Sequence, residues 1–426
     1  MTKSNLDYPK SVLPYAIFII PALFYFYEFF VQISPSVMTH QLMQHWHIDA
    51  ATLGFISAIF YYGYTPMQIV GGVLYDHFDA RYIISAAILL CALGTLGFSM
   101  SDTILQAYIS RFAIGAGSAF AFTGTLVLAS RWFPVNRFAL LVGLTQLLGS
   151  FGAIIGESPL AASVKVIGWR PTLMFVAFAG FALAAVALLV IRNQPAQKVI
   201  KVAKDPKKRA IAFKKFYRNS QTWLIALYSF TSWAPILVLA ALWGVPYLMV
   251  LYHIGAVAAS SVVAFIWLGT ALGSPFSGWW SHHIQRRCLP LASFSAIGLI
   301  AIMIMLYGSN IPFPLMYVLF FAIGFAASGQ SLAFAVVKDN NSPETIGAAI
   351  GLNNMAIVAG GALYQPLAGL LLRWHWGGLI QNGIPIYTVA NFKDAFEFVI
   401  PCYIVGIIIA TLLIKETHCK TVFSYD

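Results

Sequence analysis

Val12-Leu-Pro-Tyr-Ala-Ile-Phe-Ile-Ile-Pro-Ala-Leu-Phe-Tyr-Phe-Tyr-Glu28-Phe-Phe-Val-Gln32-Ile-Ser-Pro35-Ser-Val-Met38 is a run of 27 residues whose only charged member is Glu28. As a helix it would be about 40 Å long, more than the roughly 30 Å of a hydrocarbon core. Eleven further apolar runs follow, at 51–75, 83–100, 104–129, 137–160, 169–191, 222–251, 256–281, 288–308, 312–336, 343–371 and 394–414. Backbone polar groups in lipid must be satisfied within the segment or in a closed barrel, and the alternating pattern of barrel strands is missing. The sequence therefore predicts an all-α membrane protein with twelve transmembrane helices. Composition agrees: 60% of the 426 residues are hydrophobic and 9% charged, against roughly 25% charged in soluble domains. Cytosolic enzymes and nucleic-acid binders are thereby excluded. The polar start, Met1 to Lys10, runs into the first span without a small-residue cleavage site, so an uncleaved helix is expected there. Cys91, Cys288, Cys402 and Cys419 have no metal-site spacing.

The net charge of +11 is a topology signal. With the N-terminus inside, one set of loops holds 20 of the 25 Lys and Arg residues, and the alternating set holds Lys165, Arg170, Arg373 and Lys393. Basic residues mark the cytoplasmic side, so both termini are expected in the cytoplasm and the protein in a bacterial inner membrane, in contact with anionic lipid and with no nucleic-acid partner. Ten of the basic residues crowd into 192–220 against the single acid Asp205. That segment separates six spans from six. The expected organisation is a bundle at 1–191, a basic cytoplasmic linker at 192–220 and a second bundle at 221–426.

Between spans 2 and 3 stands Gly72-Val-Leu-Tyr-Asp76-His-Phe-Asp79-Ala-Arg81, and the second half repeats its glycine and bases in Gly278-Trp-Trp-Ser-His-His-Ile-Gln-Arg286-Arg287. Span 4 carries Arg111-Phe-Ala-Ile-Gly115-Ala-Gly117, and span 5 places Gly149, Gly152, Gly156 and Pro159 at packing spacing. In order and position these motifs resemble those of the major facilitator superfamily. One glycine of the loop pattern is replaced by Asp79, and Glu157-Ser158 interrupts the span 5 pattern, a departure from the antiporter version that weakens an inference of drug export. The resemblance implies two pseudo-symmetric six-helix bundles with spans 1, 4, 7 and 10 around a central cavity. The aromatic runs Phe24–Met38 and Tyr61–Gln68, with Phe120-Ala-Phe122, also resemble the phagosomal nutrient transporters of bacteria that live inside host cells, which handle amino acids and similar metabolites.

An ionisable group at the bilayer centre costs about 2.5–3.5 kcal/mol on insertion scales, so those retained mark function or a fixed pair. Glu28 and Arg111 lie at similar depths and, by the resemblance, both face the cavity; a permanent ion pair is the structural alternative. Tyr25 and Gln32 sit at i−3 and i+4 from Glu28, and Tyr61, Tyr64 and Gln68 recur on one face of span 2. Trp233, Gln330 and Asn354 are the second-half candidates, with Trp243, Asn353 and Gln365 beside them. Each of these also fits hydrogen bonding between helices. The expected substrate-binding set is thus Arg111, Tyr25, Gln32, Tyr61, Tyr64, Gln68, Trp233, Gln330 and Asn354. Glu28 is expected to couple protons, and Gly72, Asp76, Arg81 and Glu157 to gate. His40, His45 and His47 are expected in an outer loop; the His45-x-His47 spacing suits a metal poorly, and no metal or other cofactor is expected.

The sequence holds no nucleophile elbow, zinc helix or phosphate-binding loop, so neither an enzyme nor an ATP-driven pump is indicated. The resulting expectation is a monomeric secondary active transporter that takes up a small organic solute, an amino acid or similar nutrient, by proton symport and alternating access. Its rivals are a carrier of an amphipathic compound such as a siderophore or drug, and a non-transporting membrane sensor or scaffold.

The charge asymmetry predicts that Lys204→Cys in sealed cells resists a membrane-impermeant thiol reagent while cysteines introduced at 41–49 react. Efficient external labelling at position 204 would overturn the orientation.

Overall fold

A computed structural model describes residues 13–192, 216–342 and 345–422, apart from a few side chains within helices, so most of the expected linker lies outside the described residues. Among the described residues, twelve helical rods follow one another along the chain. They are α1 (Leu13–Trp46), α2 (Ala50–His77), α3 (Ala80–Ser99), α4 (Ile104–Trp132), α5 (Val135–Ile167), α6 (Trp169–Val190), α7 (Ser220–Tyr252), α8 (Ala256–Ile284), α9 (Cys288–Tyr307), α10 (Phe313–Asp339), α11 (Ile346–Trp374) and α12 (Val389–Leu413). A two-stranded hairpin, β1 (Ile380–Gln381) and β2 (Ile384–Pro385), lies between α11 and α12. The end of the molecule carrying the α2–α3 turn is called the basic end below, and the other the opposite end.

The first rod reaches further than its apolar run. Helix Leu13–Ile33 tightens into a 3₁₀ turn at Ser34–Met38 and resumes as Thr39–Trp46. His40 and His45 are therefore helical, a correction to the expected loop. The extension Thr-His-Gln-Leu-Met-Gln-His-Trp hides its apolar content by amphipathicity, burying Leu42, Met43 and Trp46 on one side. Rods α4 and α10 break at matching places, Ala119 and Ser328. Rod α7 contains a π-helical stretch at Ile236–Trp243, which the periodicity of the sequence did not show.

Duplication is visible in the contacts. In the first half α1 lies on α5, α2 on α4, and α3 on both α4 and α6; in the second, α7 lies on α11, α8 on α10, and α9 on both α10 and α12. Every pairing is shifted by six rods. The halves meet along α2–α11 and α5–α8, two seams that the same shift exchanges. Within each half one glycine pair brings the rods to backbone contact. A Cβ on Gly115 would strike the Phe60 carbonyl and one on Gly63 that of Phe112, while Gly324 and Gly269 repeat this against Ile266 and Phe321. In lipid, where apolar burial between helices contributes little, such close backbone approach is a main source of association.

At the basic end the chain after α12 is stitched to the second half. Glu416 accepts the N–H groups of Arg287 and Cys288 at 2.8 and 2.9 Å, and so caps α9 from another segment. Partial burial opposes its charge, but these and the His418 N–H more than offset that and hold its carboxyl below the usual range. Arg287 in turn donates to Asp339 at 2.8 Å.

Gly115→Ala and Gly324→Ala should each destabilise the protein by about 1–3 kcal/mol, since the space holds only backbone. Gly278→Ala, where a Cβ meets nothing within 4 Å, should be neutral in the same thermal unfolding series. Equal stability of all three would contradict the role given to close backbone contact.

Candidate functional site

The site begins at a defect in α1. Pro35 has no N–H, so the carbonyl of Val31, four residues earlier, loses its helical donor. The Ser34 hydroxyl donates to it at 2.9 Å, and Arg111 supplies a second donor. Its Nη1 donates to the Val31 carbonyl at 3.3 Å, and its Nη2 to those of Gln32 at 3.2 Å and Ser57 at 3.3 Å. The guanidinium also lies over the Phe60 ring, 5.1 Å from its centre, and is 1% exposed. A cation at the carbonyl end of a helical segment is favoured by the dipole of that segment. Position 111 is set by a capping box, Thr103 with Gln106, that starts α4 two turns earlier.

Arg111 and Glu28 form no ion pair, which removes the permanent pair named as the structural alternative: the arginine is occupied by backbone. Glu28 is 2% exposed, and its Oε2 has no hydrogen-bond partner. Tyr25, Tyr61 and Tyr64 lie within electrostatic range of it. Tyr25 donates to Gln146 on α5 at 3.0 Å, and its ring contacts Phe29 and Phe122. Phe29 reaches across the halves to Trp267 on α8, with ring centres 5.6 Å apart.

Tyr61 is where the halves are joined by polar groups. Its hydroxyl accepts from Gln32 at 3.1 Å and from Gln365 on α11 at 3.3 Å. The Gln365 amide also donates to the Leu237 carbonyl in the π-helical stretch, and its backbone carbonyl accepts from Trp243. A second proline defect lies one turn away. Pro366 deprives the Ala362 carbonyl of its helical donor, and the Tyr62 hydroxyl donates to it at 3.1 Å from the other half. Nearer the basic end, Asn354 donates to Gln68 at 2.7 Å, and Tyr64 interacts with Gln68.

The remaining expected residues are spread more widely. Trp233 is half-buried at the entry to the π-helical stretch. Gln330 is buried just past the break in α10, and no described hydrogen bond joins it to this network. Of the expected gate, the surroundings of Gly72 and the side chain of Asp76 lie outside what is described, and the half-buried Arg81 lies over the neighbouring Tyr82 ring. Glu157 is fully buried in the α5–α8 seam. The sequence alone pointed to neither Gln146 nor Trp267, and kept Gln365 only as a candidate beside the expected binding set. The lone amide of Gln146 in an apolar rod was the available signal.

The halves are shut at the opposite end. Asp49 pairs with Arg373 at 3.3 Å, the Ala50 N–H donates to Tyr387 at 3.0 Å, and Ser158 donates to the Val257 carbonyl at 3.0 Å. Gly54 and Gly369 bring α2 and α11 into backbone contact there. Towards the basic end the seam loosens. Among the described residues, Asn354 with Gln68 is its last hydrogen bond, and a Cβ on Gly347 or Gly351 would meet nothing within 4 Å.

The sequence profile of the Major Facilitator Superfamily matches residues 17–365. The chain belongs to that superfamily. It is a multi-pass membrane protein in a family of transporters rather than enzymes. A Bacillus subtilis protein described as the uncharacterized transporter YybO is 23% identical over 62% of the chain and 64% of its own length, so the chain spans just under two thirds of that relative. The Escherichia coli membrane sensor protein UhpC is 23% identical over 88% of the chain and 90% of its own length. Among solved structures, a bacterial homologue of the human lysosomal transporter Spinster, inward-facing and unoccupied, superposes with a TM-score of 0.79 at 15% identity, covering 93% of this chain and 96% of that one. That likeness concerns the superfamily fold.

Arg111→Ala should lower stability by about 2 kcal/mol or more, the scale of a hydrogen bond to a charged group together with orphaned carbonyls. Arg111→Lys should recover only part, because one ammonium cannot reproduce the planar fork. Thermal unfolding in detergent distinguishes them, and wild-type melting of Arg111→Ala would refute the capping role.

Proposed function

We propose that this protein is a secondary active transporter that moves a small organic solute, an amino acid or similar nutrient metabolite, across the bacterial inner membrane by alternating access in symport with protons. One observation carries the reading: Glu28 is a buried carboxyl with no cationic partner among the described residues, set among three tyrosines beside the joint between two duplicated halves. Ionised, such a group bears a desolvation cost of several kcal/mol, which a proton or a positive group of the solute removes. Its occupancy therefore depends on what else the site holds. Coupling of a proton to a solute needs that dependence.

In this reading Tyr25, Gln32, Tyr61, Tyr64, Gln68, Gln146, Asn354, Trp233 and Gln330 supply hydroxyl, amide and indole contacts to the solute. Arg111 is a positioning residue that holds α1, the rod bearing Glu28, in its broken course. The Gly72–Arg81 turn and Glu157 act at the two ends as the halves rock, and the looser basic end faces the cytoplasm.

The likeness to UhpC supports a second reading, a sensor that binds a solute without moving it. Proteoliposomes offered a panel of the twenty amino acids and simple carboxylic acids separate the two. Transport predicts counterflow of at least one compound and its accumulation under an imposed pH gradient. Glu28→Gln should keep the counterflow and lose the accumulation, because the amide imitates the protonated acid. Accumulation by Glu28→Gln with unchanged pH dependence would remove Glu28 from coupling. Binding by thermal shift with no counterflow would favour the sensor.

A further inference from the structure

A second carboxyl lies at the edge of the site just described and shares Trp267 with it. Glu157 on α5 is fully buried, and neither of its oxygens completes a hydrogen bond. The groups that face it are the Ser36 hydroxyl, in the 3₁₀ turn of α1, and the Trp267 indole N–H on α8. Both are buried, and both likewise lack a completed hydrogen bond. Four polar atoms on three rods thus converge, unsatisfied, where the first half meets the second. The next residue, Ser158, closes the same seam on the Val257 carbonyl at 3.0 Å. Buried polar groups are nearly always paired, so such a gathering signals a site with a missing component.

The chemistry of the cluster limits what is missing. An indole N–H repels a metal cation and offers it no ligand. The ionisable residues on the neighbouring rods are Glu28, His40 and His45 on α1, Arg111 and Arg131 on α4, Arg170 on α6, and His282 and His283 on α8; Arg137 and Lys165 lie on α5 itself. None pairs with Glu157: Arg111, Arg131 and Arg170 are committed to the carbonyls of Val31, Tyr75 and Ser101. Closing the seam on a carboxylate would bury a charge against two neutral donors. Closing it on the acid buries none, since the acid O–H can donate to Ser36 while its carbonyl oxygen accepts from Trp267.

We propose that Glu157, Ser36 and Trp267 form a proton-binding site in the α5–α8 seam, distinct from Glu28, whose occupation by a proton locks the opposite end shut. The proton enters from water on the opposite side while the seam is open and returns there when it reopens, so it sets the conformational balance without being carried across. The proposal rests on the alternating-access reading only in requiring a second state with the opposite end open.

Spin labels at Val166→Cys and Ser309→Cys, exposed on different halves at that end, report the seam in nanodiscs when Cys288, Cys402 and Cys419 are replaced by serine. The longer-distance component should grow several-fold as pH rises, along a one-proton transition. Glu157→Gln should hold the short distance at every pH, Glu157→Asp should keep a transition, and Glu28→Gln should leave it in place. Replacing sodium by choline at fixed pH should change nothing. A longer component that ignores pH, or that retains its pH dependence in Glu157→Gln, overturns the proposal while alternating access stands. Closure driven by sodium overturns it in favour of a cation site. Absence of a second component at any pH counts against both readings.

Discussion

In hydrocarbon no water stands ready to accept or donate a hydrogen bond, so a carbonyl left over by a proline favours a donor from elsewhere in the protein. That constraint organises the centre of this molecule. Pro35 frees the Val31 carbonyl, and the Ser34 hydroxyl and the Arg111 guanidinium both bond it; Pro366 frees the Ala362 carbonyl, and Tyr62 reaches it from the opposite half. The first repair fixes the course of α1 and with it the place of Glu28. The second belongs to the seam along which the halves touch. Fold, site and interface therefore share one cause. The buried Arg111 guanidinium bonds three backbone carbonyls here.

Duplication gives the second organising element. Paired glycines at 63 and 115 recur at 269 and 324, the rod breaks at 119 and 328 correspond, and the two interfaces between halves are exchanged by the six-rod shift. The chemistry has not been kept symmetric. Glu28, Arg111 and Glu157 all lie in the first half, while the second answers with indoles and amides, among them Trp243, Trp267 and Gln365. An ionic half that works against a neutral one suits a device in which protonation changes on one side and packing responds on the other.

Much of the architecture could be read before any coordinate. Twelve apolar runs gave the rods because length and hydropathy alone set them, and the superfamily motifs placed the turns. The errors have local causes. Residues 39–46 read as loop because their helix is amphipathic rather than apolar, and the π-helical stretch leaves no periodic trace in Ile-Leu-Val-Leu-Ala-Ala-Leu-Trp. At the site, depth along a helix identified Glu28 and Arg111, but which partners each would meet depends on the turn of α1 at Pro35, which a depth estimate does not give. Gln365 and Tyr61 were both noticed, yet their meeting depends on how α2 lies against α11, a relation between halves that no local pattern encodes.

The central claim is that two rigid halves rock about seams that are shut at the opposite end and loose at the basic end. Paired distance measurements in one preparation test it directly. Labels at Val166 and Ser309 report the opposite end, and labels at Ser130 and His283 report the basic end. If the account is right, conditions that lengthen the first distance shorten the second, with the two populations changing in step. Ends that open together, or one that moves while the other stays fixed, would contradict rocking.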